Sequence, residues 1–161
     1  MPVVTRSQTA HVSKIADSLN MHILHALADG HDAEVIDLIR SGVNPNSFVG
    51  TSSTVWIFWA ARYGRYRVVE ELLKHGALVN VTDYQGFTPL HEAVRESRDE
   101  IVELLLRHRA YPNAKTFRFH QTPLFFATNA KTAAILLKHG ADVHAIDVFG
   151  KTAEILGLIN K

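Results

Sequence analysis

Cysteine is missing from all 161 residues, which removes disulfides, thiolate metal sites and thiol catalysis from consideration. Its absence fits a reducing compartment. A charge excess is missing too. The 17 Lys and Arg residues face 16 Asp and Glu, a net +1, without the basic surplus of a nucleic-acid binder. No apolar run approaches the roughly 20 residues a membrane helix needs. Met1 to Ala10 is polar and lacks the apolar centre of a secretory signal, so cytoplasm or nucleus is the expected location. Catalytic signatures are equally scarce. The sequence holds no Gly-x-Ser-x-Gly elbow, phosphate-binding loop or dinucleotide fingerprint, and neither an enzyme nor a cofactor is expected.

What the chain does have is an ordinary apolar fraction, 47% against 20% charged, enough to argue against disorder throughout and for one domain with a buried core. It also has repetition. Leu72-Leu73-Lys74-His75-Gly76-Ala77 recurs as Leu105-Leu106-Arg107-His108-Arg109-Ala110 and as Leu136-Leu137-Lys138-His139-Gly140-Ala141. A weaker copy is Leu38-Ile39-Arg40-Ser41-Gly42-Val43. The positions of Gly42, Gly76, Arg109 and Gly140 lie 34, 33 and 31 residues apart. Thr88-Pro89-Leu90-His91 is matched by Thr122-Pro123-Leu124-Phe125, and short polar links run from Asn80 to Phe87, Asn113 to Gln121 and His144 to Lys151.

A period near 33 with these motifs resembles the ankyrin-repeat family. The stretch from Asp83 to Asn113 carries the resemblance most fully, with Gly86, Thr88-Pro89-Leu90-His91, Ala93, Ile101-Val102 and Leu105-Leu106. The likeness spans about Met21 to Ile159. It implies an all-α solenoid of stacked helix-turn-helix units with protruding hairpin-like links. The expected boundaries are an N-terminal segment 1–19, then a repeat domain 20–161 with repeats 20–52, 53–86, 87–120, 121–150 and a partial fifth, 151–161.

The residues support the same architecture. Leu90, Ala93 and Val94 sit at helical spacing, and Ile101, Val102, Leu105 and Leu106 mark one face of the following helix. One helix pair cannot cover its own apolar face, but a stacked neighbour can. Thr88 is placed as an N-cap with Pro89 in the first turn. Gly76 and Gly140 stand where second helices end in a left-handed residue. Arg109 holds that place in the third repeat, so strain or a different turn is expected there.

Several departures matter. Met21-His22-Ile23-Leu24 and Val55-Trp56-Ile57-Phe58 replace the Thr-Pro-Leu-His signature in the first two repeats, and Trp56 is expected to pack inside. The link from Asn46 to Thr54 is rich in Ser, Thr and Gly and is expected to be mobile. Thr122 to Gly140 spans 18 positions against 21 from Thr88 to Arg109, so a shortened helix or turn is expected around Asn129 to Lys131. The fifth unit is expected to hold one helix, with Ile155, Leu156, Leu158 and Ile159 as its apolar set. Val12, Ile15, Ala16 and Leu19 suggest a capping helix over about Thr9 to Leu19, with Met1 to Gln8 loose.

Ten histidines invite a metal. His75, His108 and His139 share one repeat position and therefore lie about 10 Å apart, too far for one ion with bonds of roughly 2 Å. His91 belongs to the repeat signature as a structural hydrogen-bond partner, and His22 and His25 lack completing ligands. No metal is expected. Glu70-Glu71 and Asp99-Glu100 read as solvated charges, and Arg62, Arg65 and Arg67 as surface partners of Glu70 and Glu71.

In the family, links and first helices form the concave binding face. The resemblance maps that face onto Phe48, Trp59, Arg62 and Tyr63, then Tyr84, Gln85, Phe87, Glu92 and Arg95, then Phe117, Arg118, Phe119 and Phe126, then Val148 and Phe149. Aromatic and Arg side chains dominate interface energetics, although about half of these rings are expected to fold under their links. Asn80 is similar to the residue that an asparaginyl hydroxylase modifies in some ankyrin repeats; a turn-fixing role is the expectation here. The resemblance implies non-catalytic protein–protein recognition by a monomer, as a small inhibitor or adaptor. A substrate-recruiting adaptor of a ubiquitin ligase is an alternative, although no C-terminal box precedes Lys161. A nucleotide-binding domain using Arg118 with Phe117 and Phe119 is another.

Overall fold

The computed structural model describes residues 6–47 and 54–154, with side chains from Ser18 onward. Its elements are α1 (Arg6–Asp29), α2 (Asp32–Arg40), α3 (Trp56–Arg62), α4 (Tyr66–Lys74), α5 (Pro89–Arg95), α6 (Asp99–Arg107), a 3-10 turn (Pro123–Phe126) and α7 (Ala130–Lys138). They form two layers. α1, α3, α5 and the 3-10 turn pack side by side in sequence order, and α2, α4, α6 and α7 do the same behind them. No strand runs through the described residues; Ile146 and Thr152 form an isolated antiparallel bridge.

The third repeat shows why the unit folds. Thr88 Oγ1 accepts from the His91 amide at 3.4 Å, and the Thr88 amide donates to His91 Nδ1 at 3.1 Å, closing a reciprocal cap with Pro89 behind it. Leu90, Ala93, Val94, Val102 and Leu105 are fully buried between the layers. Left-handed residues recur at three places per repeat: between the helices (Gly30, Gly64, Ser97), after the second helix (Gly42, Gly76, Arg109, Gly140) and in the link (Gly86, His120, Gly150). Among the described residues, the side chains forced into this conformation, Ser97, Arg109 and His120, all belong to the third unit and its link. Arg109 keeps the ordinary turn at φ 66° rather than reshaping it.

Repeats are stitched by a ladder of asparagines. Asn46 donates to Gly76 O at 3.1 Å and accepts from Leu78 N at 2.9 Å. Asn80 does the same to Arg109 O and Tyr111 N, and Asn113 to Gly140 O and Asp142 N. His75, His108 and His139 each place Nδ1 2.9 Å from the carbonyl four residues back, covering a helix-end carbonyl.

Other expectations need correction. Thr9 to Leu19 is not a separate helix: α1 runs unbroken from Arg6 into the first repeat, so Arg6, Ser7 and Gln8 are helical rather than loose. Glu71 is not solvated. It is 8% exposed and bonds Arg40 at 2.8 Å, tying α2 to α4. Asp99 likewise accepts from Thr132 at 2.5 Å and pairs with Lys131 at 3.1 Å, joining α6 to α7. Glu70 pairs with Lys74 rather than with an arginine. Arg65 instead donates to Leu27 O at 2.7 Å and Ala28 O at 2.9 Å, satisfying the C-terminal carbonyls of α1. The shortening expected from the three-residue deletion is borne out: the fourth unit's first helix is reduced to the 3-10 turn. Asn129 then starts α7 afresh, accepting from Thr132 N at 2.8 Å. Phe48, most of the Asn46 to Thr54 link and the set Ile155, Leu156, Leu158 and Ile159 fall outside the described residues.

Candidate binding face

In each of the three described links a side-chain oxygen near the start accepts backbone amides further along, from Asp in two links and Thr in one. Asp83 Oδ1 accepts from the amides of Gln85 at 2.8 Å and Phe87 at 2.9 Å. Asp147 Oδ1 accepts from those of Phe149 and Lys151. Thr116 Oγ1 takes the amide of Gln121 in the link between them. Each link thereby becomes a rigid loop whose central residues project. Neighbouring loops are joined by Phe117 N to Gln85 O at 2.8 Å and Val148 N to Phe119 O at 3.1 Å. Gly86 is required on two counts. Its φ is +84°, and a Cβ there would meet the Phe117 backbone nitrogen at 2.7 Å.

A cleft of about 230 Å³ opens between the second and third repeats. Trp59, Arg62, Tyr84, Gln85, Phe87, Glu92 and Arg95 line it, seven of the residues expected to form a binding face. Thr54, Phe58 and Asp83 complete the walls. The sequence reading missed these three; for Asp83 a signal existed, since Asp147 repeats it in the later link.

Electrostatics fix the floor. Glu92 is 2% exposed, bonded to Arg95 Nη2 at 2.5 Å and facing Arg62 Nη1 at 3.8 Å. Burial pushes its carboxyl pKa up, against the pull of Arg95 and Arg62. The two guanidiniums lie over rings, Arg62 over Trp59 at 5.6 Å and Arg95 over Phe87 at 5.8 Å. Glu92 is thus placed beneath the surface, where it holds two arginines in position rather than presenting itself.

The remaining expected residues divide by exposure. Trp59 is half-buried, stacked on Tyr63 at 6.0 Å and donating Nε1–H to Thr54 Oγ1 at 2.9 Å. Phe126 packs against Phe87 at 5.2 Å and His91 at 5.8 Å, inside the inter-repeat contact. Trp56, expected inside, is fully buried and donates to Asn20 at 3.3 Å. By contrast Tyr84, Phe117 and Phe149 are 75%, 61% and 69% exposed. Arg118 is exposed over the half-buried Phe119 ring.

Among the described residues no group of three or more His, Asp or Glu side chains could hold a metal. No helix among them is long and apolar enough to cross a membrane.

Comparison with known proteins agrees with this geometry. A family model of three ankyrin-repeat copies matches residues 21–116, and a single ankyrin-repeat model matches 119–148. The chain belongs to the ankyrin-repeat family. Ankyrin repeats are generally non-catalytic modules for protein interaction. Neurogenic locus notch homolog protein 1 of Xenopus tropicalis is 32% identical over 122 residues, and that of Danio rerio is 34% identical over 125. Human neurogenic locus notch homolog protein 2 is 31% identical over 130 residues. These matches cover 74%, 75% and 78% of this ankyrin-repeat chain but span only 5% of each relative's length.

Proposed function

We propose that this protein recognises a partner protein through the face formed by its links and first helices, and that it works by occupancy, masking or recruiting what it binds, without catalysis. One observation carries the reading: Tyr84, Phe117 and Phe149 project from loops that their own side chains and backbone hold rigid. Large rings exposed on a stiff support lose little entropy on binding and bury much apolar area, which is how interface anchors work. The adjoining cleft adds Arg62 and Arg95, positioned by a buried carboxylate, as polar contacts beside the anchors.

Affinity capture from an extract of the source cells, quantified by mass spectrometry, tests this. The wild-type chain should enrich a discrete protein that the Tyr84→Ala, Phe117→Ala double variant loses. Equal enrichment by both chains would move the binding face elsewhere.

A further inference from the structure

Two spacings coincide along the link tips. Tyr84, Phe117 and Val148 hold equivalent places in successive links, with Phe149 beside the last, and all four are exposed. The three described links are two-chain loops, hydrogen-bonded one to the next. Two chains at about 4.8 Å each give a rise near 10 Å per link, close to the 8–10 Å of packed helices. An extended peptide advances nearly the same distance in three residues, about 9 Å in polyproline II geometry, which also returns every third side chain to one face.

The exposed charges on this row that are tied into neither a loop nor an ion pair are basic. Asp83 and Asp147 are engaged by their own loops, and Glu92 is buried under Arg62 and Arg95. Glu96 pairs with Arg95. Lys115, Arg118 and Lys151 are exposed and make no ion pair among the described residues. Of the exposed acids after Tyr84, Glu100 lies on α6, Asp142 follows the end of α7 and Glu154 follows Lys151.

We infer that the tip row takes an extended acidic segment of the partner protein, with an apolar side chain at every third residue resting on Tyr84, Phe117 and Phe149 and with carboxylates reaching Lys115, Arg118 and Lys151. This rests on the partner-binding reading above and gives that partner its chemistry. A single nucleic-acid strand also combines negative charge with stacking faces, but a chain of net charge +1 with three free cations on the row favours a peptide.

Selection of a random peptide library on the full chain tests the inference, followed by fluorescence polarisation of the recovered peptides. Sequences with Asp or Glu around apolar residues spaced by three should be recovered. Their affinity should fall with added salt and drop by about tenfold or more in each of Phe117→Ala and Arg118→Glu. Both positions are exposed, and circular dichroism should show both variants folded. Recovered peptides that need Tyr84 but lack the acidic or three-residue pattern overturn the inference and leave the partner-binding reading standing. Acidic peptides that bind both variants unchanged overturn it as well. So does an oligothymidylate that binds the same row more tightly than any peptide. Failure to recover any peptide counts against both.

Discussion

His91 reaches from α5 to the following link, where its Nε2 stands 3.3 Å from the carbonyl oxygen of Gln121. Because the Thr88 amide donates to Nδ1, the ring proton sits on Nε2 and points at that carbonyl. One neutral imidazole therefore caps its own helix and fastens the next repeat. Burial lowers its pKa from 6.5 to about 4. Between those values the unfolded chain binds the proton and the folded chain does not. The contribution is complete above about pH 6.5 and is lost as pH falls toward 4, with a full value of about 3 kcal/mol. Denaturant midpoints measured from pH 7 to pH 4 should fall, and the fall should be shallower in His91→Asn. An unchanged slope in the variant would assign the pH dependence to other groups.

Arg109→Gly should stabilise the protein. The wild-type residue holds φ 66° at a place where Gly42, Gly76 and Gly140 serve the other repeats. Removing the Cβ relieves about 1 kcal/mol of left-handed strain, worth about 2–4 °C in melting temperature for a chain of this size. The bond that the Asn80 side-chain amide donates to its carbonyl is unaffected, since residue 109 contributes only backbone to it. A lower melting temperature would mean that the Arg109 side chain contributes more than its conformation costs.

Asn80→Ala removes the two bonds that Asn80 makes across the repeat boundary, to Arg109 O and Tyr111 N. Both lie at an exposed edge where water can replace the amide, so the loss should be about 1 kcal/mol rather than the sum of two buried bonds. Chemical denaturation of the single variant checks this. A loss several times larger would show that the stack depends on this rung more than its exposure indicates.

Core and face should separate in stability measurements. Leu105 is fully buried, and Leu105→Ala should cost about 2–5 kcal/mol. Tyr84→Ala should leave the unfolding free energy within about 0.5 kcal/mol of wild type. Trp59→Ala should lower it, because that ring packs on Phe58 and Tyr63 and bonds Thr54. A thermal melt of the three variants decides whether Trp59 belongs mainly to the scaffold.

The sequence made the helix pairs legible because their signals are local. Thr88, Pro89 and His91 cap a helix within three residues, and Leu72, Leu105 and Leu136 repeat at one position. The long-range pairs could not be read. Glu71 looks like a surface charge until α2 brings Arg40 to it from 31 residues away, and Arg65 looks like a partner for Glu70 until it reaches the end of α1. The deletion near Asn129 was visible, but not that the chain would meet it with a 3-10 turn. On the binding face, the exposed rings Tyr84 and Phe117 followed from their place in the links. The burial of Glu92 did not, because it depends on two arginines held over rings from different repeats.

Hydrogen–deuterium exchange on the full chain, with and without its captured partner, bears most directly on how this ankyrin-repeat protein works. Slowed exchange should appear at residues 83–87, 116–121 and 147–151, leaving the outer surfaces of α4 and α6 unchanged. Protection confined to those second helices, with the link tips exchanging as in the free chain, would contradict the account.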